Sequence, residues 1–216
     1  MVIQAAIQAP SAGNMTLYSI IDVTDQKLKE TLAVTCDNQP FIAKAPMVLV
    51  FCADYQKWYD LFLQREEEVR KPGMGDFMLA SCDALIAAQN AVTAAQALGI
   101  GSCYIGDIME RYETHRDLLH LPKYVVPTAM VVFGYPTKQQ EEREKPVRLP
   151  AQAVVSENTY RRQEASEYAE YLSDRQGKTE EEFDRWLHAF CKRKWNSDFS
   201  AEMSRSVEVM MRQWAE

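Results

Sequence analysis

The amino-acid sequence predicts an α+β protein, and three observations support this fold class. Apolar segments bounded by turn residues predict strands at 18–23, 45–53 and 127–134. An alanine-rich segment at 76–98 predicts one long helix, because alanine is the best helix former and lets another backbone approach closely. From residue 157 on, charged residues alternate with aromatic ones at helical spacing, which predicts a helical tail.

The remaining helices follow from the periodicity of apolar residues between breakers. They are predicted at 2–9, 25–34, 55–70 and 111–119, and in the tail at 157–174, 179–195 and 201–214. A separate domain formed by residues 156–216 alone would be too small to bury a large hydrophobic core. We therefore expect a single domain with a core at 1–155 and a helical extension at 156–216, packed on the core or on a partner subunit.

Composition excludes several classes of protein. The chain has 216 residues, of which 47% are hydrophobic, and 24 basic against 31 acidic residues give a net charge of −7. An acidic surface repels phosphates, so nucleic-acid binding is not expected. The most apolar stretch, 45–53, is far shorter than the ~20 residues that span a membrane. With five scattered cysteines and no basic, apolar leader, the sequence predicts a cytoplasmic protein.

Motifs for catalysis by the protein's own side chains are missing from the sequence. Gly99, Gly101 and Gly106 fail the dinucleotide fingerprint, because Tyr104 stands where its last glycine is needed. No histidine has the spacing of a metal site, and His115 is expected to face solvent near a charged helix end. We expect no metal and no catalytic side chain, so that a cofactor would carry any redox chemistry.

Four short segments together indicate which cofactor. They are PSAGN at 10–14, NQPFIAKAPMVLVFCA at 38–53, LGIGSCYIG at 98–106 and KPVRLP at 145–150. Each alone is explained by a turn, a cap, a helix end or a basic loop. In this order they resemble the nitroreductase family of FMN-dependent oxidoreductases, and the segments TLYSIIDVTD and VLVFCADYQKW look most like members that prefer NADPH.

The resemblance implies a fold, an assembly and a reaction. The fold would be a sandwich of a mixed, mainly antiparallel sheet flanked by helices, in an obligate homodimer with FMN at the subunit interface. The protein would pass hydride from NADPH or NADH to FMN N5 and then to nitroaromatics, quinones or flavins, in a ping-pong mechanism. Two alternatives stay open: a flavin-binding or vestigial dimer without rapid turnover, and a relative that uses flavin for dehalogenation or ring cleavage.

The resemblance also implies positions for the flavin ring. Pro10 would shape the turn from which Ser11 and Asn14 reach the flavin of the other subunit. Asn38 and Gln39 would contact the ring or the ribityl chain. Backbone N–H groups at the end of LGIGSCYIG would lie against the ring near N5, from Tyr104, Ile105 and Gly106.

Basic residues would hold the phosphates of the cofactor and of the donor. Lys145 and Arg148 match the pair that grips the FMN phosphate, and a guanidinium can bind phosphate through two parallel hydrogen bonds. Arg175 follows the aromatic segment YAEYL, where NADPH-preferring members place a basic residue for the nucleotide. Family members normally open with an R-S-x-R-type segment that is not in this sequence, so we expect weak loading with FMN.

Overall fold

One four-stranded sheet lies at the centre of the computed structural model, which describes residues 1–215. The strands lie side by side in the order β1-β2-β4-β3, and their bounds are β1 (Tyr18–Asp22), β2 (Met47–Asp54), β3 (Gly101–Ile105) and β4 (Val125–Gly134). All three pairings are antiparallel. The predicted α+β fold with a mainly antiparallel sheet is therefore confirmed, and its three predicted strands are β1, β2 and β4.

Ten helices accompany the sheet in the described part of the chain. Those before β4 are α1 (Val2–Ile7), α2 (Gln26–Thr35), α3 (Pro40–Lys44), α4 (Gln56–Leu63), α5 (Met74–Ala97) and α6 (Tyr112–Leu118). Those after it are α7 (Lys138–Glu142), α8 (Ala165–Gln176), α9 (Glu180–Lys194) and α10 (Asp198–Ala215). Three short 3-10 helices lie at Ala12–Asn14, Gly106–Met109 and Ala151–Ala153.

The chain forms two compact units. The first consists of residues 1–137 and the chain from residue 201 on, and the second consists of residues 138–200. From the sequence we expect a division at residue 155 instead, and the division into a core at 1–155 and an extension at 156–216 stays a prediction.

Strand β2 is buried on both faces, as its unbroken apolar run predicts. Leu49 and Phe51 pack with the alanines of α5 on one face. Val48 and Val50 pack with residues of α2 and α3 on the other face. Because successive side chains of a strand point to opposite faces, the sheet separates two helical layers and both sides contribute to the core.

Helix α10 closes one end of the first unit's core. The buried indole of Trp214 meets the rings of Tyr55, Phe77 and Tyr124 edge-on, with centroids 6.3, 5.5 and 5.4 Å away. Edge-to-face contacts of this kind add to the burial of apolar area. The C-terminal helix is thus part of the first unit's core.

Helix α5 has two apolar faces. Its alanines pack on the sheet, whereas Met78, Leu79, Leu85 and Ile86 are 62%, 50%, 44% and 43% exposed. By length and composition alone the helix is long enough to cross a membrane. A core helix passes the same test, and the alanine face of α5 belongs to the core. The second face of α5 is therefore largely exposed among the residues that the structure describes.

Two predicted helices are shorter than expected. The helix predicted at 55–70 ends at Leu63, ahead of the exposed charged segment 65–68, which has no apolar side chain to pack on the core. The helix predicted at 157–174 begins only at Ala165, and Asn158 has a left-handed φ of +61°, outside the helical region. The apolar periodicity of the sequence therefore overestimates the length of both helices.

Candidate functional site

The segment PSAGN forms a tight turn ahead of β1. Gly13 and Asn14 have φ values of +56° and +57°, in the left-handed region that glycine and asparagine tolerate best. The Ser11 hydroxyl accepts a hydrogen bond from the backbone N–H of Thr16 at 3.0 Å. Pro10 and Asn14 are exposed, and Ser11 is half-buried. The turn therefore presents an amide side chain to solvent and a hydroxyl that can still donate a hydrogen bond.

Asp83 of α5 holds this turn from inside the protein. Its carboxylate accepts the backbone N–H of Ala12 at 3.0 Å and that of Leu17 at 3.2 Å, and the residue is only 3% exposed. Asp83 was not among the residues predicted from the sequence. The sequence signal that could have revealed it is an acidic residue among the alanines on the buried face of α5, because a buried carboxylate needs hydrogen-bond partners.

A second group of predicted residues meets on the other side of the sheet. The side-chain amide of Gln39 donates to the Asp107 carboxylate at 3.0 Å and to the carbonyl oxygen of Cys36 at 2.8 Å. Asp107 directly follows Gly106 in the 3-10 helix after β3. The structure thus brings Gln39 together with the 104–106 segment, through an aspartate that the sequence analysis missed. Asn38 is exposed, with a left-handed φ of +51°.

Strand β3 leaves this segment accessible. It is an edge strand of the sheet, so one side of its backbone has no neighbouring strand within the described residues. Tyr104 is 41% exposed, with its hydroxyl 3.5 Å from Gln89 Oε1 on α5, and Ile105 is buried. Apart from Gly106 itself and its two chain neighbours, no heavy atom lies within 4 Å of the position that a Cβ on Gly106 would take. A flat ring can therefore approach the backbone here.

The predicted phosphate-binding residues lie in the second unit. Lys145 and Arg148 are exposed on the segment between α7 and α8, and neither has an ion-pair partner within residues 1–215. Two uncommitted cations three residues apart suit a phosphate group. Arg175 is half-buried in the last turn of α8. The positive charge and the N–H donors of these residues suit the phosphate groups of FMN and of a nucleotide donor.

The thiol and phenol groups near β3 stay protonated at neutral pH. Burial raises the pKa of Cys103, with a smaller contribution from Asp107, and burial alone raises the pKa of Tyr104. Burial, again with Asp107, raises the pKa of Cys36 to about 12. Because a thiol is a poor nucleophile compared with a thiolate, none of these groups is suited to covalent catalysis.

Glu110 is the carboxyl group near this site that titrates close to neutral pH. Burial raises its pKa to about 7, and the carboxylates of Asp107 and Asp37 add to the shift. Its Oε1 atom is buried without a hydrogen-bond partner among the described residues. A negative charge on Glu110 is therefore costly in the folded protein.

His115 is buried, and the expectation that it faces solvent is wrong. Its Nδ1 atom lies 2.9 Å from the carbonyl oxygen of Ile108, and its Nε2 atom lies 2.8 Å from Thr35 Oγ1. The polar neighbours of His115 in the sequence suggested an exposed helix end. In the fold, however, this side of α6 packs against the end of α2 and the 3-10 helix after β3.

Comparison with known proteins defines the class to which this fold belongs. The model of the nitroreductase family matches residues 1–135. The chain belongs to the nitroreductase family. A solved structure, nitroreductase A from Vibrio parahaemolyticus, superposes with a TM-score of 0.80 at 26% identity, covering 97% of this chain and 85% of that one.

Two relatives that are named as enzymes match this chain in sequence. FMN reductase (NADPH) of Bacillus subtilis is 36% identical over 160 residues, which are 73% of this chain and 63% of the relative. Oxygen-insensitive NADPH nitroreductase of Salmonella typhimurium is 36% identical over 159 residues, which are 74% of this chain and 63% of the relative. The matched part of the chain thus spans somewhat less than two thirds of the length of these relatives.

Proposed function

We propose that the protein binds FMN and uses NADPH or NADH to reduce a small electron-poor acceptor, such as a nitroaromatic, a quinone or free flavin. The observation that carries the proposal is the free space beside the backbone of Gly106. It adjoins Asp107, whose carboxylate is hydrogen-bonded to the side chain of Gln39. The names of the two relatives, an FMN reductase and an NADPH nitroreductase, support the same activity. When bound, FMN supplies the chemistry of hydride acceptance and donation at N5.

The protein's own residues bind and orient the two reactants. Backbone N–H groups at Tyr104, Ile105 and Gly106 are the donors proposed for the ring. Because β3 pairs with β4 through alternate residues, only those N–H groups that point away from β4 are free to donate. A donor directed at N5 would withdraw electron density from the oxidised ring and make N5 a better hydride acceptor. The Gln39 amide and the exposed Asn38 add polar contacts to the ring or the ribityl chain. Since no side chain near the ring has to move a proton between reactants in this scheme, proximity is the main contribution of the protein.

For the phosphate groups we propose the basic residues that the family resemblance indicates. Lys145 and Arg148 would bind the FMN phosphate, and Arg175 would bind the additional phosphate of NADPH. Charge-assisted hydrogen bonds from a guanidinium are directional, so they would set the register of the cofactor as well as its affinity.

We further propose a homodimer in which Pro10, Ser11 and Asn14 serve the flavin of the other subunit. The exposed apolar face of α5 supports this assembly, because monomers rarely leave such a patch uncovered. Light scattering of the intact chain should give twice the monomer mass. Ile86→Glu should give a monomer, whereas Lys27→Glu, an exposed change on α2 at the other face of the sheet, should leave the dimer intact.

An absorption spectrum tests the activity. The purified protein, kept in buffer with added FMN, should show flavin bands that bleach on addition of NADPH or NADH in air-free buffer and return with a quinone. Flavin bands that no donor bleaches would favour a flavin-binding dimer without turnover. A protein that binds no FMN in an equilibrium titration would contradict the proposal.

The cytoplasmic location also stays a prediction. All five cysteines are free thiols in the structure.

A further inference from the structure

Two distant segments of the chain are joined twice beside the proposed flavin ring site. Segment 35–39 contains Gln39, and segment 104–108 contains the backbone groups proposed for the ring. The Gln39–Asp107 hydrogen bond joins them at 3.0 Å. His115 joins them a second time through Thr35 and Ile108, at 2.8 and 2.9 Å. We call the second connection, made by Thr35, Ile108 and His115, the His115 clamp.

The partners of His115 determine its tautomer. A backbone carbonyl only accepts hydrogen bonds, so Nδ1 carries the proton and donates it to Ile108. Nε2 then has a lone pair, and the Thr35 hydroxyl donates to it. The residue is fully buried, and burial lowers its pKa, so the neutral ring keeps this arrangement at neutral pH. Both ring nitrogens are therefore committed, and the imidazole has one orientation.

A catalytic thiol–imidazole pair does not explain this arrangement. Cys36 Sγ lies 3.9 Å from His115 Nε2, but the pKa of the thiol is raised to about 12. The thiol is buried, with none of its surface exposed to solvent. A protonated, inaccessible thiol cannot attack a substrate, so the interactions of His115 with Thr35 and Ile108 are the ones that need an explanation.

We propose that His115 is a positioning residue of the flavin site. The clamp holds the backbone of 104–108 at a set distance from Gln39, so that the groups assigned to the ring are in place before the ligand arrives. This inference rests on the proposed function. Its physical basis is that hydrogen-bond donors held in place by packing lose less entropy on binding than donors on mobile loops.

Two substitutions test the clamp, and a third is a matched control. Thr35→Val removes the hydroxyl that donates to Nε2. His115→Asn retains a donor near the Nδ1 position but cannot reach Thr35. Thr128→Val is the control, because it removes a buried hydroxyl that donates to the Phe51 carbonyl oxygen at 2.9 Å in the sheet. We expect Thr35→Val and His115→Asn each to weaken FMN binding about fivefold to tenfold. The double variant should lose no more affinity than either single variant, because both substitutions break the same clamp. The control should leave FMN binding unchanged.

Riboflavin titration separates positioning of the ring from binding of the phosphate. Because the clamp acts on the ring site, the affinity for riboflavin should fall by the same factor as that for FMN. Unchanged affinities in Thr35→Val and His115→Asn would overturn the proposal. A loss that Thr128→Val shows equally would also overturn it, since affinity would then follow stability alone.

Hydrogen exchange of the ligand-free protein distinguishes a failure of the clamp from a failure of the proposed function. In both clamp variants, amides of 36–39 and of 104–108 should exchange faster together, and those around Thr128 should not. Faster exchange in one segment only would overturn the clamp. If the wild-type chain shows the clamp by exchange but binds neither flavin, the proposed function fails and the assignment of His115 to a flavin site fails with it.

Discussion

The side-chain amide of Gln39 donates a hydrogen bond to the carboxylate of Asp107 at 3.0 Å, although the two residues are 68 positions apart in the chain. Gln39 precedes α3, and Asp107 lies in the 3-10 helix that follows β3. The contact fixes the orientation of an amide that the nitroreductase resemblance assigns to the flavin. It also makes that orientation dependent on a second, sequence-distant segment.

Removal of the Asp107 carboxylate should weaken flavin binding. Asp107→Ala leaves the Gln39 amide without this acceptor, and we expect the Kd for FMN to rise about fivefold to tenfold, because hydrogen bonds to charged groups are among the stronger ones. Asp107→Asn retains an acceptor oxygen of similar shape and should bind within about twofold of wild type. Asp117→Ala, a surface change on α6, is the control. Fluorescence titration measures all three, and wild-type affinity in Asp107→Ala would refute the role of this hydrogen bond.

A methyl group at position 106 should block the flavin without harming the fold. Beyond Gly106 and its two chain neighbours, no heavy atom lies within 4 Å of the new Cβ, and Gly106 does not have a positive φ, so Gly106→Ala should melt within a few degrees of wild type. The methyl group would occupy the space through which the ring reaches the backbone. We expect FMN binding to fall at least tenfold.

Gly75→Ala is the matched control for this substitution. It also meets nothing within 4 Å and lies in the first turns of α5. It should leave FMN binding unchanged. If Gly106→Ala binds FMN as tightly as Gly75→Ala does, the ring does not lie against this backbone.

The side chain of Arg148 should contribute to binding of the phosphate and not of the ring. Arg148→Ala removes a charge-assisted hydrogen bond worth about 1.5–3 kcal/mol, or roughly tenfold to a hundredfold in FMN affinity. Riboflavin lacks the phosphate and should bind both forms equally. Arg143→Ala, an exposed cation five residues earlier, controls for general charge. Unchanged FMN binding in Arg148→Ala would show that the phosphate is held elsewhere.

Arg175 should distinguish the two nicotinamide donors. Arg175→Ala is expected to raise KM for NADPH more than KM for NADH, because only NADPH carries the additional phosphate. Arg185→Ala, an exposed arginine on α9, should change neither value. Steady-state rates with each donor measure the effect. Equal increases for both donors would contradict a phosphate contact at this residue.

Glu110 should make the stability of the protein decrease as the pH rises. Its pKa is raised from 4.5 to about 7 in the folded protein, so the folded state holds the proton more tightly than the unfolded state does. The stabilisation is complete below pH ~4.5 and is lost as the pH passes through ~7, a difference of up to about 3 kcal/mol.

Glu110→Gln removes this titration and should shift the pH dependence accordingly. The variant should be more stable than wild type at pH 8 and no more stable at pH 5, as measured by urea denaturation at both values. Glu144→Gln, at an exposed position, is the control. A variant that differs from wild type by the same amount at both pH values would show that Glu110 does not titrate between them.

Local patterns were enough to predict much of the fold. The unbroken apolar run of β2 and the alanines of α5 predict a buried strand and the helix packed on it, because burial is set by the residues of each segment. The turn at 10–14 was also predictable, since proline, glycine and asparagine favour turns regardless of distant contacts. The edge strand β3 was less clear, because exposed polar residues interrupt its apolar pattern and it pairs on one side only.

The sequence by itself thus determined the layered fold, the family resemblance and the segments from which a flavin site would be built. Only the tertiary structure revealed the side chains that hold those segments together. Asp83, Asp107 and His115 each bind partners 66 to 80 positions away, and no local periodicity marks such pairs. They become visible only when packing brings distant segments into contact, because a buried polar group is stable only where the fold places a hydrogen-bond partner beside it.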